Sequence, residues 1–411
     1  MDLPGGARLA VEEVPAVHSV AIGVWVGVGG RDEDPDESGI SHFLEHLLFK
    51  GTTSRTARQV DEAIDGVGGE MNAYTGREVT AFYVRVPQTD AAEAMDLLAD
   101  VLTSPSLHPD DVEIERGVIL EEYAMRDDDP ADLAGSALAE ALFPGHGLGR
   151  DVIGDHDVLQ RVTSDEIRAF FERHYGAPCF AVSAAGAIDH HVVEEWAGTR
   201  LDLSRPDAAP PIRSAPSAPS ERIKVVTRDT AQVQLAHGVL TFGVDDPDRY
   251  SLAVLNHVLG GGYASRLFDE VRERRGLAYS VASVLSFHSQ GGTLSVHAGT
   301  SPTRAAETIK VISREIERMA TGGITDRELE LAKGFVAGDA VLSSEDTGSR
   351  MARLAHLLVA HDDVWSIDAQ VERYRSVDIA DVTRAAERVL AGSWSTAVVG
   401  PITQEEATAW L

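Results

Sequence analysis

Cysteine is almost absent: Cys179 is the only one in 411 residues. That excludes an internal disulfide and any zinc or iron–sulfur site built from several thiolates. It lies in an apolar run, Cys179 to Val182, so a buried core thiol is the default. Basic charge is scarce as well, 36 Lys and Arg against 66 Asp and Glu, a formal net charge of −30. Phosphate backbones need a basic surface, so nucleic acid is excluded as the expected partner. A cationic peptide would be drawn to such a surface, and a merely solubilising acidic coat explains it equally well. Long hydrophobic runs are missing too. No apolar stretch spans a bilayer, and M-D-L-P-G-G-A-R-L-A has no basic segment leading into a long apolar one. The expectation is a soluble, cytoplasmic protein with no membrane partner.

What remains is the composition of a folded chain, 43% hydrophobic with 37 glycines and 17 prolines. Its length suits roughly two or three domains. One stretch stands apart, S-G-I-S-H-F-L-E-H-L-L-F-K-G from Ser38 to Gly51, which carries His42, Glu45 and His46. In a helix, residues three and four apart share a face, so both imidazoles and the carboxylate point into one volume. Ile40, Phe43, Leu44, Leu47 and Leu48 cover the other faces, so the polar trio is desolvated unless paired. Two readings follow: the start of a metal site, or a core helix with two hydrogen-bonded histidines.

Along the chain, Val17 to Val28 reads as a buried strand and Ala57 to Ile64 as an amphipathic helix stopped by Gly66, Gly68 and Gly69. Met71 to Val86 ends as a strand, with its turn at Gly76. Helices are expected over Asp90 to Leu102, Asp110 to Arg126, Asp132 to Leu142 and Ser164 to His174, with Ser164 as an N-cap. Phe180 to Ala185 closes this half as a strand, followed by a short helix from Asp189 to Trp196. The Pro/Ala/Ser-rich residues 204–220 form the linker between a first domain, 1–203, and a second, 221–411.

The second half then starts again. Strands at Ile223 to Val226 and Gln232 to Phe242, helices at Tyr250 to Leu259 and Arg266 to Arg275, and strands near Ser280 to Phe287 and Gly292 to Ala298 repeat the order of the first. The period of about 210 residues points to an internal duplication. The expected fold class is α+β, two homologous domains, each a mostly antiparallel sheet packed with helices. F-L-E-H-L-L from Phe43 falls on V-L-N-H-V-L from Val254, so Ala253 and Asn256 replace His42 and Glu45. His257 alone reads as a packed or surface histidine, and only the first half should bind metal. His190 and His191 follow Asp189 at a helix start and take the bland reading of a solvated cap; His146 lies in a loop and receives no role.

Catalytic zinc takes three protein ligands and keeps a fourth position open. His42 and His46 supply two, which leaves Glu45 free. The acidic helix I-E-R-G-V-I-L-E-E-Y offers the third, as Glu121 or Glu122. At 100° per residue, Glu122 lies about 20° from the direction of Glu115, on the face that carries Val118 and Ile119. Glu121 points away. Glu122 is therefore the expected ligand, and Glu115 its supporting acid.

These residues, with N-A-Y-T-G-R-E-V-T from Asn72 and L-G-G-G-Y-A-S-R-L-F-D-E-V-R-E-R-R-G-L-A-Y-S from Leu259, resemble the inverzincin peptidases. That family includes pitrilysin, insulin-degrading enzyme and the mitochondrial processing peptidase. The resemblance covers both halves and is nearest to the short, two-domain bacterial branch akin to the processing peptidase β subunit. It implies one Zn2+ per chain on His42, His46 and Glu122, with Glu45 as general base and Glu115 as the additional acid. It also implies that Asn72 and Ala73 lie on an edge strand that pairs with an extended peptide. Arg272 and Tyr279 match the family's substrate-contacting pair; without the resemblance, Arg272 is one more solvated arginine.

Longer members enclose a chamber with four such domains, and this chain has two. The implied partner is a second copy, a homodimer in which Arg272 and Tyr279 of one subunit complete the metal site of the other. Unstructured, basic peptides or presequence-like segments are the expected substrates. An inactive peptide-binding or scaffold homologue is the alternative, and a zinc hydrolase acting on other substrates is a third reading.

Overall fold

The computed structural model describes residues 1–201, 208–219, 221–361 and 364–410. Among the described residues, ten strands form two five-stranded sheets. The first holds β1 (Arg8–Glu13), β2 (Ser19–Val26), β3 (Glu70–Thr75), β4 (Thr80–Pro87) and β5 (Phe180–Gly186). The second holds β6 (Ile223–Thr227), β7 (Val233–Thr241), β8 (Ala278–His288), β9 (Gly291–Thr300) and β10 (Ser395–Gly400). Their orders, β1-β5-β2-β4-β3 and β6-β10-β7-β9-β8, are the same topology twice, the duplication expected from the sequence. One parallel pair closes each sheet, β1 with β5 and β6 with β10, and the other pairings are antiparallel.

Each sheet has two buried faces because its central strands carry small or β-branched residues on both. In β2, Val20, Ile22, Val24 and Val26 alternate into a core shared with Phe43, Leu44, Leu47 and Leu48. Ala21 and Trp25 point the other way, with Ala81, Ala181 and Ala185, against Met351, Ala355 and Leu358 of the helix Thr347–Ala360. Alanine on that face lets a helix backbone approach closely. Arg350 and Arg353 of the same helix both bind Glu12 in β1.

The compact units are not the two halves of the chain. Unit 1 comprises Met1–Tyr123, Arg150–Arg213 and Ser343–Trp365, and unit 2 the segments Ala124–Gly149, Ser214–Leu342 and Ser366–Leu411. Unit 1 thus includes a helix from the second half. Unit 2 includes Pro130–Leu142 from the first, whose Ala134, Ala137, Leu138 and Leu142 pack on Ala236, Ala397 and Val399. Of the expected linker, 204–207 and 220 lie outside the described residues, and 208–219 contain no helix or strand.

The motif helix runs Ile40–Leu48 and buries Ile40, Phe43, Leu44, Leu47 and Leu48 as expected. The acidic helix spans Pro109–Asp127. One cap moves by a residue: Thr163, not Ser164, is the N-cap of Ser164–His174. Its side chain accepts from the Glu166 amide while Glu166 reaches back, a reciprocal pair worth about 1 kcal/mol. Cys179 is 6% exposed, a core thiol whose pKa burial pushes up to about 11. No described helix is long and apolar enough to cross a membrane.

Candidate metal centre

Unit 1 brings His42, His46 and Glu122 together, with one ligand atom from each within 4.8 Å of the others. Glu122 Oε2 lies 3.5 Å from His42 Nε2 and 3.6 Å from His46 Nε2. Donors on a tetrahedral zinc at about 2.0–2.2 Å stand about 3.3–3.5 Å apart, so these separations fit the ion. The imidazole planes cross at 77° with centroids 4.8 Å apart, so two nitrogens converge without the rings stacking. Burial, helped by the neighbouring His46, pushes the His42 pKa down to about 4, against the pull of Asp151. His42 is therefore neutral at pH 7, the state in which an imidazole can donate to a metal.

The groups behind the ligands fix their direction. Glu115, 2% exposed, places Oε2 3.1 Å from His46 Nδ1. A proton held there leaves Nε2 with its lone pair toward Glu122. A buried carboxylate needs more than one neutral partner, and Lys50 Nζ supplies an ion pair at 2.8 Å from Glu115 Oε1. Glu45 stands on the same helix face with Oε2 accepting from Thr75 Oγ1 at 2.6 Å. Burial raises its pKa above the carboxylate norm, opposed by the Thr75 hydrogen bond and by His46, and aided by Glu122. Sequence reasoning missed Thr75 and Lys50. Thr75 ends the N-A-Y-T motif, which held the signal; Lys50 follows the motif helix, but its partner is 65 residues away in sequence and no local pattern predicts it.

Glu121 is exposed, as its direction required, and Ile119 is buried. Val118, expected on the core face, is instead 42% exposed. The face toward the site is thus narrower than the apolar spacing implied. Asn72 and Ala73 lie on β3, an edge strand that pairs only with β4 among the described residues. The Ala73 amide donates to Asn72 Oδ1 at 2.8 Å, so this N–H faces away from β4.

Arg272 and Tyr279 belong to unit 2. Arg272 lies in a π-helical turn, Phe268–Glu273, its guanidinium 4.7 Å from the Phe268 ring centre and 5.0 Å from that of Tyr279. The pair lines a cleft of about 650 Å³ with Phe268, Leu331 and Phe335. His257 lines it too, stacked on Phe335 at 4.0 Å, a packed histidine as expected. In the counterpart of the acidic helix, Asp326–Ser343, K-G-F-V-A-G-D matches R-G-V-I-L-E-E and puts Asp339 at the Glu122 place and Ala332 at the Glu115 place. Asp189, His190 and His191 also cluster, but all three are exposed. Asp189 caps His191, and His190 binds Glu13 at 2.7 Å.

The chain is 42% identical over 403 residues to a protein of Mycobacterium tuberculosis named an uncharacterized zinc protease, covering 97% of this chain and 92% of that one. A Bacillus subtilis protein of the same description, YmxG, is 34% identical, covering 96% of each chain. The chain belongs to peptidase family M16. Within that family, the profile described as Insulinase (Peptidase family M16) matches residues 8–156, and that of the Peptidase M16 inactive domain matches residues 161–334. The M16 region carrying the trio and the one that lost it are thus matched separately. Two crystal structures share the M16 chain's fold. A peptidase M16 inactive domain from Pseudomonas fluorescens gives a TM-score of 0.91 at 20% identity, covering 98% of this chain and 97% of that one. A protease from Helicobacter pylori gives 0.89 at 23%, covering 98% of each.

Proposed function

We propose that this chain is a zinc-dependent endopeptidase of unstructured peptides, with one Zn2+ per chain on His42, His46 and Glu122. The observation that carries it is the convergence of those three donors beside Glu45, whose carboxylate is held by Thr75 and is not itself part of the donor set. When bound, zinc supplies Lewis acidity that lowers the pKa of water and polarises the scissile carbonyl. Glu45 takes the proton of the attacking water and returns it to the leaving amine, and its raised pKa brings it closer to a base's working range.

Substrate orientation falls to the β3 edge. The Ala73 N–H, turned outward and donating to the Asn72 side chain, is the donor that an extended peptide's carbonyl takes over. Arg272 and Tyr279 grip the substrate near the scissile bond, with the Tyr279 hydroxyl donating to the developing oxyanion. In this reading they come from a second copy of the chain in a homodimer whose chamber admits peptides and presequence-like segments rather than folded proteins. The net charge of −30 favours basic substrates. The inactive alternative finds its residues in unit 2, where Ala253 and Asn256 stand, and not in unit 1.

The test is metal analysis of the purified protein, then digestion of matched Lys/Arg-rich and Asp/Glu-rich unstructured peptides with and without chelator. Stoichiometric zinc and chelator-sensitive cleavage, faster on the basic peptide at low salt, are expected. A full complement of zinc with no cleavage of either peptide would leave a binding protein.

A further inference from the structure

Arg213 lies in the Pro/Ala/Ser-rich stretch, where the sequence promises no structure. Its side chain is nonetheless only 14% exposed. The guanidinium grips Asp32 with both arms, Nε to Oδ1 at 2.8 Å and Nη2 to Oδ2 at 2.7 Å. Nη2 also donates to the carbonyls of Gly27 and Glu78, at 3.0 and 2.8 Å. Asp32 is 2% exposed at its side chain, and its Oδ2 accepts the Gly29 amide at 3.1 Å. Without the arginine it would be a buried, uncompensated anion.

The next residue faces the other way. Glu33, 4% exposed, accepts the Gly39 amide on Oε2 and the Ser41 amide on Oε1, each at 2.7 Å. These donors belong to the start of the motif helix, which has no side-chain cap of its own because Gly39 precedes it. Gly39 has φ +99°, and a Cβ there would meet Ile153 O at 2.7 Å and the Gly154 Cα at 2.9 Å. The helix start, two residues before His42, is thus wedged between one loop and the Glu33 carboxylate.

We propose that Arg213 is a positioning residue for the metal-binding helix: by pairing with Asp32 it fixes the turn 29–33, and Glu33 on that turn seats the helix that bears His42, Glu45 and His46. The segment that follows the first sequence repeat is thereby fastened to the centre it does not touch. The inference rests on reading the motif helix as metal-binding. Small displacements of catalytic groups cost activity steeply, on the order of 100-fold per ångström.

The test uses full-length protein with Arg213→Ala and Arg213→Lys, and Asp32→Asn should the first fail to fold. Hydrogen exchange is followed at residues 38–42, with β5 as the measure of global opening, and zinc loss to a chelator and kcat and KM are measured beside it. Arg213→Ala should speed exchange at 38–42 and zinc loss by about tenfold or more relative to β5. It should lower kcat with KM within about twofold, and Arg213→Lys, lacking the fork, should restore only part. Unchanged exchange at 38–42, or a rise equal to that in β5, overturns the proposal. A wild-type protein that takes no zinc removes the functional reading instead, and the exchange comparison on metal-free protein still decides the coupling.

Discussion

Glu121 and Glu122 are neighbours of one type, and only the direction of their helix separates them. Glu122 reaches the two imidazoles while Glu121 meets solvent. Glu122→Gln should therefore cost at least about tenfold in zinc affinity, and Glu121→Gln less than about twofold, by competition with a metal indicator. Equal losses in the two would break the assignment. The trio and this glutamate could be read from the sequence because helical spacing fixes direction locally. Lys50, Arg213 and Glu33 could not, since each acts through a contact that only the folded chain creates. Glu33 adds a pH signature of its own. Burial pushes its pKa from 4.5 up to about 7, against the hydrogen bonds from Gly39 and Ser41. A raised folded-state value means the native state holds the proton more tightly, so this contribution is complete below pH 4.5 and is lost as pH rises through about 7. Relative to Glu33→Gln, the wild type should lose about 2 kcal/mol of unfolding free energy between pH 5 and 8, by urea titration at each pH. Parallel curves would show that Glu33 does not titrate in that window.

Elements were legible where one period dominated. The motif helix, the β3–β4 hairpin and both inner strands β2 and β7 follow their patterns. β1 was missed because Arg8–Glu13 alternates weakly, with one fully buried residue. The exchanged helices, Pro130–Leu142 and Thr347–Ala360, show why compact units escape a linear reading. An amphipathic face specifies that a sheet will cover it, not which sheet. The edge strand offers a clean test at this scale. The Ala73 amide makes no ladder bond, so Ala73→Pro removes a donor from the free edge and leaves pairing with β4 intact. Stability should fall by about 1 kcal/mol or less, whereas KM for an extended peptide should rise about tenfold. An unchanged KM would move the substrate off this edge.

At the scale of the whole molecule, the repeat has kept its architecture, with His42, His46 and Glu122 in unit 1 and the Arg272–Tyr279 pair in unit 2. In the proposed homodimer these belong to different subunits at each site. Mixing Glu45→Gln with Arg272→Ala, each inactive alone, should then restore up to about a quarter of wild-type activity as hybrid dimers form. No recovery under exchange conditions would make each chain self-sufficient. Whatever the assembly, in the proposed reaction Glu45 does chemistry beside a metal it does not hold. Zinc content and kcat should therefore be measured together for the wild type and Glu45→Gln on one unstructured peptide. One zinc per chain in both, with kcat reduced by about 100-fold or more in the variant, is the predicted result. Zinc lost along with activity, or activity kept without the carboxylate, would contradict it.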